Sequence, residues 1–594
     1  MTDPNTTPTT SPTVTPPEDI HRLEAQRRAN RDAVAELGLN PYGSRTDDLI
    51  TLADARRAYS PEADDAHKEW EQTAKAARDA GDPEPGFTDQ RPVVRVAGRV
   101  VLKRDGGKLV WLQLRDHTTG PASWFDDDAD SSGGDGSDSR AAGVTPDLWR
   151  ARGVLPDLQI AVSKKDVAEP GFDFAKTLDL GDLVVAEGPL VKTRKGEITV
   201  WAAALSPGAK SLVPPPEKWS GLQDVELRYR KRYLDMWSNP DATWALQMRS
   251  RIVGRIRRYL DDLRFLEVET PVLQSQAGGA AARPFRTHMN ALDLPLFLRI
   301  APELFLKRLL VGGLPRVYEI SRNFRNEGLD RSHNPEFTSL EVYEAFGNYE
   351  TMLDLTEGLV RACAWFIVTG HDRGWEGLRD HGGEGEGHLT LPFGDRTIDY
   401  GSAFRRVTYA ELFQTALGFP ITDRDKTRAE CESRGFKTVT DAGEPVDHIL
   451  LVNELFEEVA EPTIDPAKPT FVLDYPAALS PLTRPRTDDP SLAERWDLFI
   501  GGMEIGPAYT ELNDPDVQAQ KFREQLAGID DEESTFRTFD ADFVEALKVA
   551  MPPAGGMGLG VDRLCMLLLN QPSIRDVIAF PMMRPLAAAD ATEP

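Results

Sequence analysis

Cysteine is scarce in this chain. Cys363, Cys431 and Cys565 are its three, scattered and in no CxxC pair, which excludes a disulfide framework and a thiolate zinc site. Cys565 lies in the apolar run LCMLLL and reads as core packing. Long hydrophobic runs are missing too: none approaches the ~20 residues that a membrane-spanning helix requires. The N-terminal MTDPNTTPTTSPTVTPPEDI has no basic stretch followed by an apolar core, so no signal peptide is expected. Positive charge is in short supply. With 69 Lys and Arg against 96 Asp and Glu, the net charge is −27, which argues against a general nucleic-acid binder. Local patches can still grip phosphates, and much of the acid sits in loops such as DDDADSSGGDGSDSR. A reduced, cytoplasmic compartment and no membrane partner fit these absences.

What is present suits a globular protein: 594 residues, 40% hydrophobic and 28% charged, enough for two or three domains. Residues 1–17, rich in Thr and Pro, carry too little apolar surface to fold and are expected as a disordered tail. Residues 18–90 read as a helical extension. Its first helix places Ile20, Leu23, Val34 and Leu37 near one face, with polar Asn30 interrupting it. Residues 91–210 change to short alternating segments (VVRVAGRVVL, KLVWLQLRD, LQIAVS, LVVAEGPLV, ITVWAAALS) that predict a small barrel, with an OB-fold the natural candidate. An Asp, Ser and Gly-rich insertion at about 118–155 is assigned no structure. After a Pro-rich linker, 211–219, a larger domain at 220–594 mixes long helices with strands and contains a mostly helical insertion at about 407–461. The fold class is α+β.

The most telling segment is SRNFRNEGLDRSHNPEFTSLEVYEAF, Ser321 to Phe346. It runs from cationic to aromatic to acidic, an order suited to ATP and an ammonium-bearing substrate. Arg325 offers a planar fork of donors for phosphate or carboxylate. Phe337 offers a face for a base, and Glu341 and Tyr343, two apart, share a strand face and could receive a cation. An amphipathic hairpin with solvated charges would need no such ordering.

FRNEG followed by HNPEFT resembles motif 2 of the class II lysyl-tRNA synthetases. RRYLDDLRFLEVETPVL (Arg257 to Leu273) resembles motif 1, and GGMGLGVDRLCMLLLN (Gly555 to Asn570) resembles motif 3. AGGAAARPF, LRIAPELFLKRLL and MEIGPAYTELNDP fall in the same order as in that family. The resemblance implies a class II catalytic domain, an antiparallel sheet flanked by helices, preceded by an OB-fold anticodon-binding barrel. It implies that lysine, ATP and tRNA(Lys) are converted through a lysyl-adenylate to lysyl-tRNA, AMP and diphosphate by a homodimer.

Carried over residue by residue, Arg325 would bridge the α-phosphate and the attacking carboxylate. Arg563 would contact the γ-phosphate and lie over the adenine opposite Phe337, with a salt bridge to Asp562 as its structural alternative. Glu327 would meet the adenine side and His333 the bent triphosphate. Asp497 and Glu504 would bind Mg2+, of which the resemblance implies up to three ions per subunit. Gly279 and Glu303 would receive the α-ammonium of lysine, and Glu341, Tyr343, Tyr509 and Glu511 would form the side-chain end of the pocket. In the barrel, Lys103, Arg104, Trp111, Arg115 and Glu197 are the candidates for tRNA; Trp111 could equally be barrel core. One position departs from the family pattern. GPAYTEL puts Pro507 where an Asn commonly helps to hold the substrate carboxylate. Either Arg325 and water suffice there, or the substrate differs. A synthetase-like paralogue that activates another amino acid or lysylates a non-tRNA acceptor is the alternative.

Overall fold

The computed structural model describes residues 17–121, 125, 154–215, 222, 224–280, 282–371, 389–440, 443–526 and 539–586. The expected tail, most of the acidic insertion, part of the linker and most of the charged Gly-rich segment WEGLRDHGGEGEGHL lie outside the described residues. The chain divides into two compact units, Met1–Trp244 and Ala245–Pro594.

In the first unit, alternation of apolar and polar residues produces strands with one buried face. Val94, Val96 and Val100 of Val93–Asp105 and Val110, Leu112 and Leu114 of Leu109–Arg115 are buried in one cluster with Leu158, Ile160 and Val162. The strands close in the order Val93–Asp105, Leu109–Arg115, Leu158–Ser163, Ile198–Trp201, Leu183–Lys192 and back to the first. This five-stranded closed barrel has the OB-fold-like form that the alternation predicts. The run ITVWAAALS does not stay in one strand: after Trp201 the chain leaves the barrel, and Ala204–Ala209 pairs on Leu183–Lys192. A helix that the alternation did not announce, Gly171–Thr177, inserts Phe172 and Phe174 into the core.

The helix Pro17–Glu36 lies against this barrel with Val34 in the core and Leu37 packed on it, while Leu23 stays exposed. Its middle is held by polar contacts instead. Arg27 donates to the carbonyls of Ser211 (3.1 Å) and Leu180 (3.0 Å), and Asn30 donates to Asp179 (2.9 Å). Asn30 interrupts the apolar face because it has a partner there, as buried polar groups require.

The second unit is built on an eight-stranded sheet ordered Arg405–Thr408, Thr470–Leu473, Arg495–Ile500, Met503–Thr510, Ala554–Gly560, Glu336–Ala345, Arg316–Phe324 and Leu266–Glu267. All neighbours are antiparallel except the outermost pair at each end. The helix Tyr349–Thr369 packs against the central strands. It is started by a capping box of Asn348 with Thr351 and stopped at Gly370, whose positive φ suits a residue without Cβ. Helices Tyr409–Leu417, Arg424–Ser433 and His448–Leu455, followed by the π-turn Phe456–Ala460, pack around Phe413, Cys431 and Leu455. All three cysteines are buried.

Candidate active site

The hairpin of Arg316–Phe324 and Glu336–Ala345, the Gly-rich strand Ala554–Gly560 and the strand Met503–Thr510 together floor a cleft of about 470 Å³. Register decides what faces it. Glu341 lies opposite Gly558, and Tyr343 and Tyr509 both lie opposite Gly556. Large groups on the outer strands are thus paired with residues that have no side chain. Of the residues singled out from the sequence, Gly279, Glu303, Arg325, Glu327, His333, Phe337, Glu341, Tyr343, Glu504, Pro507, Tyr509 and Arg563 all line this one cleft.

At its open end the guanidinium of Arg325 lies over the ring of Phe337, 5.1 Å from the centroid. Its Nε is buried without a hydrogen-bond partner, a donor held ready for an anion. Arg563 donates through Nη1 to the carbonyl of Glu504 (2.6 Å) and through Nη2 to Nε2 of His333 (2.9 Å). The other ring nitrogen of His333 is 2.7 Å from Asp330. With Nε2 accepting from Arg563, Nδ1 carries the proton and donates to Asp330. Burial works against the Asp330 carboxylate, but the backbone N–H of Ser332, the His333 ring and the His333 N–H draw it down to about 2. Asp330 was not singled out from the sequence, although an Asp three residues before a His in a tight turn could have signalled it. The alternative partner of Arg563 is occupied elsewhere: Asp562 pairs with Arg249 and accepts from the backbone N–H of Thr338 (2.8 Å).

The closed end is acidic. Burial, and after it the charge of Glu303, pushes Glu341 up to about 8, although Tyr343 donates to it at 3.1 Å. Glu303 opens the helix Glu303–Val311 beside Gly279, whose φ of +85° strains any residue with a Cβ and whose close approach to Ala301 and Glu303 leaves little room for one. Glu511 does not line the cleft. It is fully enclosed behind Gly556 and Tyr343, its Oε1 has no hydrogen-bond partner, and a Cβ on Gly556 would stand 1.9 Å from that oxygen. Gly556 is therefore the opening through which Glu511 meets the cleft. Glu511 also contacts Lys307 of the helix Glu303–Val311, and Lys307 in turn donates to Glu303 at 2.6 Å. Lys307 escaped the sequence reading, though its i, i+4 spacing from Glu303 was visible there.

Asp497 lies outside the main cleft, in an adjoining recess of about 260 Å³ that shares Glu504. Arg495, also unforeseen and two residues away on the same strand face, clamps both Asp497 oxygens at 2.9 and 2.7 Å. Enclosure and the neighbouring Asp497 charge raise Glu504, and Glu461 in the same recess is pushed up to about 7 by burial and by Glu504. Carboxylates raised by one another favour an added cation. Pro507 stands opposite Asp497 next to a β-bulge at Ile505, where pairing with the Gly-rich strand has not yet begun. That is the kind of place a sheet tolerates a residue without N–H.

The barrel candidates do not converge in the same way. Trp111 points away from the core, edge-on to Trp201 at 6.4 Å, with Arg104 directly opposite it in register. Glu197 accepts from Arg56 at 3.0 Å and remains partly exposed. Lys103 donates to the carbonyls of Lys176 and Leu178, and Arg115 is held in a two-point pair with the buried Asp157.

Residues 224–584 match the family described as tRNA synthetases class II (D, K and N). Curated relatives extend the likeness along the chain. The lysine–tRNA ligase of Pelotomaculum thermopropionicum is 38% identical over 576 residues, 96% of each chain. That of Carboxydothermus hydrogenoformans is 44% identical over 83% of this chain and 89% of its own. That of Pseudomonas fluorescens (strain Pf0-1) is 43% identical over 72% and 82%.

Gly556→Ala tests the opening in the floor. The added methyl must displace Glu511 and Tyr343, so the variant should lose about 1–3 kcal/mol in chemical denaturation. Its crystal structure should show Glu511 moved. An unmoved Glu511 would refute the placement.

Proposed function

We propose, on the premise that the chain belongs to the class II tRNA synthetases of the D, K and N group and attaches lysine to tRNA with ATP, that its cleft performs lysine activation by positioning and charge neutralisation alone. Reaction proceeds through the adenylate general to the family. The lysine carboxylate attacks the α-phosphorus, diphosphate leaves, and a terminal hydroxyl of tRNA then displaces AMP from the carbonyl. Because the carboxylate is already ionised at neutral pH, the site needs no base. What it must supply is alignment and cationic donors where charge develops.

The observation that carries this reading is Arg325, a guanidinium with an unpartnered buried donor at the junction of the Phe337 shelf and the acidic end. There it serves both the α-phosphate and the lysine carboxylate. Adenine lies against Phe337 with Glu327 at its edge. Arg563, kept in place by His333 and Asp330, turns to the γ-phosphate and the other face of the base. Glu303, beside Gly279, takes the α-ammonium; Glu341, Tyr343, Tyr509 and Glu511 surround the ε-ammonium. A neutral side chain in that place would leave buried carboxylates unpaired, a strong source of rejection. Pro507 offers the carboxylate nothing, and Arg325 suffices.

Mg2+ fits the residues present. Glu504 faces the cleft, whereas Asp497 has both oxygens engaged by Arg495, so Glu504 would be the leading ligand with Asp497 behind it. No cluster of three or more metal-ligating side chains exists among the described residues. When bound, Mg2+ would neutralise phosphate charge. The assembly we propose is a cytoplasmic homodimer joined through the motif 1 segment, where Leu266 and Leu273 are exposed. No helix among the described residues is long and apolar enough to cross a membrane.

Arg325→Ala should remove labelled-pyrophosphate exchange by about a hundredfold or more, the usual cost of losing a donor to developing charge. Near-normal exchange would refute the assignment. In the free enzyme Glu341 is largely protonated at pH 7, and lysine binds its ionised form. Affinity should therefore tighten by up to about tenfold per pH unit as pH rises towards 8, then level off. It should weaken again at higher pH as the α-ammonium, and then the ε-ammonium near its usual ~10.4, lose their protons. Glu341→Gln should flatten the rising limb, and an unchanged profile would exclude Glu341 as the acceptor. In the barrel, Trp111→Ala should weaken tRNA binding by ~1–3 kcal/mol through lost base stacking while lysine-dependent exchange is unchanged. A fall in both activities would return Trp111 to a purely structural role.

A further inference from the structure

No step so far uses Lys307, and an ammonium so deeply enclosed calls for an explanation. Its side chain has no solvent exposure. Burial draws its proton affinity down, but the carboxylates of Glu303 and Glu511 more than offset this and keep it charged. It donates to Oε1 of Glu303 at 2.6 Å, makes a shorter ion contact with Oε2 of Glu511, and lies 6.0 Å from the centre of the Phe543 ring.

Each of the two carboxylates thus commits one oxygen to the same ammonium. The second oxygens are turned towards glycines of the cleft wall. Glu303 Oε2 lies 3.8 Å from the position a Cβ on Gly279 would take, and Glu511 Oε1 lies 1.9 Å from that of Gly556. Both glycines line the cleft. We infer that Lys307 is a positioning and specificity-determining residue for amino-acid selection, a built-in ammonium that fixes Glu303 and Glu511 together so that their remaining oxygens face the two ammonium groups of lysine. The inference rests on the assignment of Glu303 and Glu511 to those groups.

Charge gives Lys307 a second effect. Glu303, Glu341 and Glu511 converge here, with Tyr343 and Arg325 also facing Glu341. Glu341 already holds a proton near neutral pH, and without Lys307 the group would take up another. A protonated carboxyl can donate to a neutral polar end, so the pocket would lose its means of telling an ammonium from a hydroxyl.

The experiment compares lysine with 6-hydroxynorleucine, which carries a hydroxyl in place of the ε-ammonium, in pyrophosphate exchange. Lys307→Met should raise the lysine KM by about tenfold or more and reduce discrimination against the hydroxyl analogue by a similar factor. The ATP KM should hold, and the lysine KM should partly recover at pH 9 as the carboxyls ionise. Lys307→Arg, which keeps the charge, should stay closer to the parent than Lys307→Met. An unchanged lysine KM in Lys307→Met, or a pH-independent loss shared equally with ATP, overturns the inference. If melting shows that Lys307→Met does not fold, Lys307→Met with Glu511→Gln, which leaves less unpaired charge, is read against Glu511→Gln alone. A further rise in the lysine KM with the ATP KM unchanged supports the remaining action through Glu303, and an unchanged lysine KM, or an equal loss for lysine and ATP, overturns the joint role. Glu511→Gln also isolates the premise: with no effect on lysine it removes the site assignment itself, whatever Lys307 does.

Discussion

The second unit is organised around buried negative charge that its own cations do not fully offset. Glu303 and Glu341 at the cleft wall meet Glu511 behind it, and a carboxylate taken from water without a partner is costly enough to change its protonation instead. Lys307 holds two of the three from behind. Glu341, left with a tyrosine hydroxyl, rises to about 8. On the assignment proposed above, the two ammonium groups of lysine would fill the remaining deficit, and its binding would complete an electrostatic arrangement that a neutral competitor cannot.

That arrangement requires thin strands next to crowded ones. The Gly-rich strand lies between Glu336–Ala345 and Met503–Thr510, and its glycines stand opposite the largest pocket groups. Glycine weakens a strand when nothing is gained from close approach. Here the approach is the purpose, because a methyl at Gly556 would meet both Glu511 and Tyr343 within van der Waals distance. The same strand leads through Gly560 into the helix Val561–Leu568, which carries Arg563 to the His333 side of the cleft.

Much of this could be read in the sequence, for reasons that differ by residue. Arg325, Phe337, Glu341 and Tyr343 were legible because one hairpin carries them all, and strand alternation fixes which of them share a face. The barrel was legible because its period-two pattern is strong in Val93–Asp105, Leu109–Arg115 and Leu183–Lys192. Lys307 and Arg495 were not singled out, since a cation next to acids in sequence ordinarily reads as a solvated pair. Only the fold shows that Lys307 is buried between Glu303 and Glu511 and that Arg495 holds both oxygens of Asp497. Glu511 marks the opposite limit: it was singled out, yet it lies behind the cleft wall, and its approach to the cleft depends on a glycine of another strand. In the barrel, Lys103 and Arg115 had the right charge for tRNA, yet their donors are bound to backbone carbonyls and to Asp157. Charge alone does not tell a binding residue from one that closes a barrel.

Pro507 shows how backbone and chemistry constrain each other at one position. The bulge at Ile505 adds a residue to the Met503–Thr510 strand just before the cleft, and bulges commonly redirect side chains near active sites. Glu504 thereby reaches the cleft and also borders the recess that holds Asp497. Beyond the bulge, the position facing Asp497 is free of pairing with the Gly-rich strand, so a proline there costs little in hydrogen bonds. On the proposed assignment, what it removes is a possible side-chain contact to the substrate carboxylate, which Arg325 with its unpartnered buried Nε would still receive. The ammonium end has no comparable substitute, because selectivity there depends on carboxylates that only a cation can satisfy. A lysine-specific site can therefore give up a donor at the carboxylate, which every amino acid presents, more readily than an acceptor at the side chain, which distinguishes one amino acid from another.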